Sequence, residues 1–415
     1  MPPIDPVPPI VLIAVFALIA IRQVGTFRLA IWQIMLAGAL AVLALGSISP
    51  GKALASIDLD VMIFLFGMFV VGEAMVESRY LHNVAHSVFS RARSTDALVL
   101  YILFIMGFFS AFIMNDTVAI IGTPLVLFYA KRHNISPKLL LLSLCFATTL
   151  GSVASPIGNP QNLLIALHGK MSNPFVSFFT YLAIPTFLNI LIAFAMLRFF
   201  FRGHFHNMRL EGAREDIRDR GLADLCRVSL LLIFVMITAK VVSVFNGLEW
   251  DFSLTYIAIA AATPILLISP RRFEIARKID WHTLVFFASM FVLMASVWDS
   301  GIIQRLMPGW SGAGYAPVMV LSVLLSQLIS NVPFVALYLP VLDLAGAGAR
   351  ELMALAAGST IAGNLLILGA ASNIIIIQNS EKKGETISFL DFARVGIPLT
   401  VFNTAVYWAY FELFL

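Results

Sequence analysis

Charge is what this sequence has least of. Asp, Glu, Lys and Arg make up 12% of its 415 residues, against 60% apolar residues, where a soluble domain carries about 25% and about 45–50%. Half the usual charge cannot solvate an exterior of this size, so most of the outer surface must face lipid. Cysteine is nearly missing. Cys145 and Cys226 sit in or beside apolar segments and form no CxxC or Cys/His spacing, which leaves a disulfide framework or a zinc site without support. No Walker sequence, GxSxG or HExxH is present, so ATP drive and hydrolase chemistry lack support. No nucleophile–base pair falls in the apolar runs, and an enzyme is not expected. The start, MPPIDPVPPI, lacks the basic segment and cleavage site of a signal peptide and reads as a short leader into a retained first helix. The net charge of +4 does not point to nucleic acid, because the basic residues cluster in short loops between apolar runs, as membrane orientation requires.

What is present is a series of apolar runs, several shorter than the roughly 20 residues a spanning helix needs. Two pairs stand out: 97–113 with 118–130, and 317–329 with 333–344. A polar tip interrupts each pair, Asn115-Asp116-Thr117 in one and Ser330-Asn331 in the other. Such pairs are expected to enter and leave on one side as re-entrant hairpins, which membranes tolerate where protein or a water-filled cavity satisfies the backbone. The apolar segment after each hairpin is also interrupted, at 155–162 (SPIGNPQN) and at 369–373 (GAASN). Proline removes a backbone donor and glycine permits the turn, so each segment is expected to be two half-helices joined by unwound chain.

These features recur in order. Ile57-Asp58 precedes FLFGMFVVGEAMVES as Ile279-Asp280 precedes FFASMFVLMASVWDS, which matches Glu77 with Asp299. Asn115 stands nine residues before Pro124 as Asn331 stands nine before Pro340. Thr148-Thr149 stands to Asn162 as Ser359-Thr360 stands to Asn373. The expected fold is therefore an all-α membrane protein of two inverted repeats, with about ten transmembrane helices, two re-entrant hairpins and two broken helices. Its expected units are 1–201, a mixed-charge cytoplasmic linker at 202–221, and 222–415. Five crossings and one hairpin per half invert the second half. That topology leaves Lys52, Lys170, Lys240, Arg305 and Arg350 on one side and the other 22 of the 27 basic residues opposite them. The rich side is read as cytoplasmic, which puts both termini outside the cell (inner) membrane.

Paired interrupted helices in inverted halves are the sequence mark of a transporter site. Half-helix N-termini suit an anion, and unwound carbonyls suit a cation such as Na⁺. Asp116 is the sharpest single residue, since an intramembrane acid is costly and marks function. It is expected to bind Na⁺ or carry H⁺, and capping the following half-helix is compatible with either role. Asn115 and Asn331 are expected to line the site at matched tips. Glu73, Glu77 and Asp299 are weaker coupling candidates, Asp343 reads as solvated, and Asn364 either faces the cavity or bonds a neighbouring helix. His82, His86, His168, His204 and His206 fall in loops or at helix ends and His282 starts a span, with no ligand pair among them.

The segments MNDTVAII, SPIGNPQNLLIA, SNVPFVALYLP and GAASNIIII resemble the arsenite-permease and citrate-permease branch of the ion transporter superfamily. IDWHT and IGNPQN resemble its compact bacterial anion-transporter members. The resemblance covers nearly the whole chain. It implies a scaffold and a transport region, often in a homodimer, with solute and ions between hairpin tips and broken helices. Carried over by position, the site would draw on Asn115, Asp116 and Thr117; on Ser155, Gly158, Asn159, Gln161 and Asn162; on Ser330 and Asn331; and on Gly369, Ser372 and Asn373. The first tip departs from the Ser-Asn-Thr of dicarboxylate transporters by carrying an acid, which fits a proton- or cation-coupled antiporter. The expected function is secondary active transport of a small inorganic or organic anion, or an oxyanion-type solute, by alternating access coupled to H⁺ or Na⁺. A Na⁺/H⁺ antiporter is the alternative, and a passive channel is a third reading. No cofactor is expected beyond a Na⁺ at Asn115, Asp116 and Asn331.

Overall fold

The computed structural model describes all residues except 1–4, 22, 25–26, 29, 207–216, 247–252, 303–304 and 306–313. Apolar runs fold as helices because lipid offers no partner for backbone N–H and C=O groups. In chain order the first half contains α1 (Val7–Ile21), α2 (Ile31–Ala44), α3 (Pro50–Ser56), α4 (Leu59–Ser78), α5 (Tyr80–Phe89), α6 (Thr95–Tyr101), α7 (Gly107–Ile113), α8 (Asn115–Arg132), α9 (Pro137–Val153), α10 (Pro160–His168) and α11 (Pro174–Phe200). The second contains α12 (Arg220–Phe245), α13 (Leu254–Ile268), α14 (Arg272–Lys278), α15 (Trp281–Asp299), α16 (Tyr315–Ile329), α17 (Asn331–Leu344), α18 (Ala349–Ile361), α19 (Ala371–Glu381) and α20 (Phe389–Phe414). Two-residue strands, Gln23–Val24 and Phe27–Arg28, pair between α1 and α2. Among the described residues, six helical runs are long and apolar enough to cross a membrane, and shorter apolar helices accompany them.

The duplication is visible in matching local chemistry. Asp58 Oδ1 accepts from Val61 N at 3.0 Å and starts α4, and Asp280 Oδ1 accepts from Thr283 N at 3.0 Å and starts α15. The two helices run in opposite directions, and ion pairs at their far ends show it. Glu77, at the end of α4, meets Arg271 and Lys278 just before α15, each at 2.6 Å. Asp299, at the end of α15, meets Lys52 on α3 just before α4, also at 2.6 Å. Each half thus supplies the acid for the other's base, and Glu77 and Asp299, considered for coupling, stand here as clasps between halves.

The halves also interlock. α4 packs against α13 and α15 against α2. The first contact is close because a Cβ at Gly67 would lie 2.8 Å from the Ala258 carbonyl. α11 and α20 lie antiparallel, with Asn403 Nδ2 donating to Asn189 Oδ1 at 2.9 Å and Thr186 bonded to Tyr407. Asn364 Nδ2 donates to Asn403 Oδ1 at 3.2 Å, so Asn364 bonds a neighbouring helix. Polar bonds of this kind and small residues hold membrane helices together where no hydrophobic force acts between them.

The first hairpin's arms are longer than the apolar runs in the sequence suggest. Thr95–Ile113 runs 19 residues, with a π-helical turn at Ile102–Met106, and α8 runs 18. Length alone would let each cross, yet the chain turns back at Met114. The breaks also shift. α10 already starts at Pro160, a residue suited to a first helical position, so Gln161 and Asn162 belong to its first turn. The second break runs earlier than 369–373, through short 3₁₀ turns at Ala362–Asn364 and Ile367–Gly369, and Ser372 and Asn373 lie in the first turn of α19. No proline marks this break. Its unwound backbone lies against α20, where a Cβ at Gly396 would come within 2.2 Å of the Asn364 carbonyl. In the expected linker, Arg202–His204 form one turn and 220–221 already belong to α12, while 207–216 lie outside the described residues.

Candidate functional site

Both hairpin tips adopt the same rare backbone. Met114 has φ 68° and ψ 138°, and Ser330 has φ 75° and ψ 150°. Positive φ in a non-glycine residue is costly and concentrates at functional sites. The turn is held in the first half by Asn115 N, which donates to Gly158 O at 3.0 Å and docks the tip onto the first break.

The N-terminal turns of α8, α10, α17 and α19 converge on one cavity of about 760 Å³. Asn115 and Asp116 reach it from α8, Pro160 and Gln161 from α10, Asn331 and Val332 from α17, and Ala371 from α19. A helix N-terminus carries unpaired N–H groups and roughly half a positive charge. α8, α17 and α19 have no side-chain cap, whereas in α10 the Asn159 Oδ1 accepts from Asn162 N at 2.9 Å. Four positive dipole ends around one polar space favour an anion, and the Asp116 carboxylate among them favours a cation or a proton.

Five of the residues expected at the site line this cavity: Asn115, Asp116, Gln161, Ser330 and Asn331. The others stand behind its wall. Thr117 fills the space left by Gly72, where a Cβ would lie 2.6 Å from its hydroxyl. Asn162 Nδ2 donates to Ser152 O at 3.0 Å and Ser155 O at 3.1 Å, taking up carbonyls that the end of α9 leaves over. Asn159 Nδ2 bonds Ser152 Oγ at 3.1 Å and Thr360 Oγ1 at 3.3 Å. Gly158 receives the hairpin tip, and at Gly369 a Cβ would sit 2.6 Å from Ala362 O. Asn373 Nδ2 donates to Gly363 O at 2.7 Å, and Ser372 is fully buried beside it in sequence.

Several buried oxygens here have no hydrogen-bond partner: Asn115 Oδ1, Asp116 Oδ1, Asn331 Oδ1, Thr149 Oγ1, Ser372 Oγ and Asn373 Oδ1. Each such group costs about 1–3 kcal/mol, a cost that a bound cation, proton or water would offset. Asn115, Asp116 and Asn331 are thus the side chains that could hold Na⁺. Among the described residues no group of three His, Cys, Asp or Glu is placed to hold a metal.

The cavity also takes in residues that the sequence pattern did not single out. Asp280 and Thr283 open α15, Gln378 belongs to α19, and His282 stacks on Trp32 of α2 with ring centroids 4.9 Å apart. The IDWHT segment carried the signal, since Asp280 matches Asp58, but it served to mark the repeat and the family resemblance and not the site. Of the remaining candidates, Glu73 is half-buried in α4 and absent from the cavity wall, and exposed Asp343 pairs with Lys170 at 2.5 Å. His168 bonds Asp58 at 2.5 Å, which joins the end of α10 to the start of α4.

A family model described as citrate transporter (CitMHS) matches residues 13–351. The chain is 28% identical over 422 residues to a 46 kDa membrane protein of Mycobacterium leprae, with 95% of each covered. It is 26% identical over 427 residues to an uncharacterized transporter of Mycobacterium bovis, again with 95% of each covered. The P protein of Mus musculus is 25% identical, with 92% of this chain matched to 58% of that protein. Two solved structures share the fold. The YdaH transporter of Alcanivorax borkumensis has a TM-score of 0.60 at 14% identity, covering 98% of this chain and 97% of that one. MtrF of Neisseria gonorrhoeae, from a class of antimetabolite efflux pumps, has a TM-score of 0.56 at 15% identity, covering 100% and 95%. The chain belongs to the CitMHS citrate transporter family and is a multi-pass membrane transporter.

Proposed function

We propose that the protein is a secondary active transporter of an anion or oxyanion-type solute, working by alternating access and coupled to H⁺ or Na⁺. The observation that carries this reading is the meeting of four half-helix N-termini and the Asp116 carboxylate in one cavity. The dipole ends would hold the solute's negative charge through backbone N–H groups. Asp116 would take the coupling ion, helped by the unpaired oxygens of Asn115 and Asn331. Gln161 and Ser330 complete the contact set. Thr117, Ser155, Gly158, Asn159, Asn162, Gly369, Ser372 and Asn373 hold the tips and breaks in shape. We further read 1–201 and 222–415 as the inverted repeats, with the basic-rich face and the 202–221 linker in the cytoplasm and both termini outside. In that orientation the cavity, lined by Asp280 at the start of α15, faces the cytoplasm.

Uptake of citrate, succinate, arsenite and sulfate into proteoliposomes under imposed pH or Na⁺ gradients tests the reading. Gradient-dependent accumulation of one of them supports it, and accumulation of none, with or without a gradient, rejects it. A second reading, Na⁺/H⁺ antiport on the same scaffold, is favoured by the second carboxylate, Asp280, on the cavity wall. Collapse of a pH gradient by Na⁺ alone, with no transported anion, would select it. Currents that persist without any coupling gradient at rates above carrier turnover would select a channel instead.

A further inference from the structure

The repeats agree in construction but not in one contact. In the first half, Asp58 caps α4 with Oδ1 and uses Oδ2 to bond His168 at the end of α10, at 2.5 Å. In the second half, Asp280 caps α15 with Oδ1, but its Oδ2 turns back to its own Thr283 hydroxyl at 2.6 Å. His168 stands six residues after Asn162, and Asn379 stands six after Asn373. Asn379 Oδ1 accepts from Lys382 Nζ, one turn further on, at 3.5 Å. Where the first half has α10 resting on α4, the second has the cavity, with Asp280 on one wall and Gln378 of α19 on another. Because the halves are inverted, the closed contact and the open one lie on opposite faces of the molecule.

We propose that Asp280 and the last turn of α19, at Gln378 and Asn379, form the contact that shuts the cavity, and that it closes when the Asp58–His168 bond opens. Resting on the alternating-access reading, the proposal adds the residues that close each face. Asp280 leaves its own Thr283 and takes an amide of α19 as its partner, as Asp58 takes an imidazole of α10. Gln378 is exposed and is the polar one among the α19 residues that line the cavity, beside Ala371, Ile374 and Ile375. The closed state therefore carries a carboxylate and a carboxamide over the mouth, so a solute leaves only when that bond is broken.

Cysteine cross-linking tests this on the full-length protein in membranes, where the disulfide yield is read without any knowledge of the solute and the flux arms use the uptake assay above. The native Cys145 and Cys226 are both fully buried and stay in place. A D280C/Q378C variant is oxidised alone and together with D58N, which keeps a good cap for α4, or with H168L. Disulfide yield is expected to rise severalfold when either substitution weakens the opposite latch. A D58C/H168C variant is expected to cross-link readily without help and to stop uptake until reduced. A D280C/Q378C yield that ignores both latch substitutions, or that stays at zero while a K52C/D299C control cross-links, overturns the proposal. If the yield responds as expected but proteoliposomes show no gradient-driven flux, the closing contact stands and the transport reading fails. If gradient-driven flux is present but the yield does not respond, the transport reading stands and the closing contact fails.

Discussion

Thr360 Oγ1 donates to Asn162 Oδ1 at 3.2 Å, tying the intact half of one interrupted helix to the first turn of the other. The same hydroxyl accepts from Asn159 Nδ2 at 3.3 Å and from Gln161 Nε2 at 3.5 Å, so one side chain meets three amides at the first break. Thr149, its repeat mate, is buried with no partner for its hydroxyl. Thr360→Val, which keeps shape and removes the hydroxyl, should destabilise by about 1–3 kcal/mol. Thr149→Val should cost much less. Thermal unfolding of purified protein in detergent compares them, and equal losses would deny the asymmetry.

Asp116→Asn keeps size and hydrogen bonding at the tip but removes the charge. Coupled flux should fall to background while expression, elution volume and melting temperature stay near those of the parent. Flux that survives with its pH or Na⁺ dependence intact would make Asp116 only a cap for α8.

The crossing of α7 and α9 leaves no room for a side chain. A Cβ at Gly151 would lie 2.1 Å from Gly107 O, an impossible approach to a backbone atom. Gly151→Ala is therefore expected to cost more than about 3 kcal/mol, at the severe end for single substitutions, and to appear as aggregated or low-yield protein. Gly203→Ala, in open space, is the control and should behave as the parent does.

The Asp58–His168 bond, at the membrane face, has a defined pH window. Burial presses the Asp58 carboxyl upward, but its bonds to His168 and to Val61 N outweigh this and leave it below its ordinary value. The same bond raises His168 above its ordinary value against the opposition of burial, with Asp60 adding to the rise. Lys170 and Asp343 stand with His168 around a neighbouring cavity, already paired with each other. The Asp58 contribution is fully present above its unfolded value and is lost as pH falls through its lowered folded value. The His168 contribution is fully present below about 6.5 and is lost as pH rises through its raised folded value. The melting-temperature gap between parent and His168→Gln should peak near pH 5–6, roughly midway between the unfolded values, and shrink on both sides. A gap that grows steadily toward high pH would contradict the pairing.

Tips and breaks were legible in the sequence because they need unusual residues. Asn-Asp-Thr and Ser-Asn interrupt apolar runs where little else is polar, and Pro160 fixes where α10 begins. The second break was misplaced because no proline marks it. The chain unwinds there under contact with Gly396, some thirty residues away, and no local pattern records that. The site was read only in part for a related reason. Asn159, Asn162 and Asn373 are the right residue types to bind a solute, but the hydroxyls of Ser152 and Thr360 claim the Asn159 amide, and spare carbonyls at the broken helix ends claim those of Asn162 and Asn373. Composition cannot separate those two uses. Trp32 and Asp280 reach the cavity from opposite halves, and only the interlocking of the halves makes them neighbours.

That interlocking bears on what either half could do alone. Glu77 finds its bases on the second half and Lys52 finds its acid there, while α4 and α15 each lean on a helix from the other half. A single half in a bilayer would keep these charges unmatched and these faces bare, and an identical copy in the same orientation could not supply what is missing. A copy inserted upside down could. The opposed run of α4 and α15 is what lets one polypeptide close both sets of ion pairs on itself.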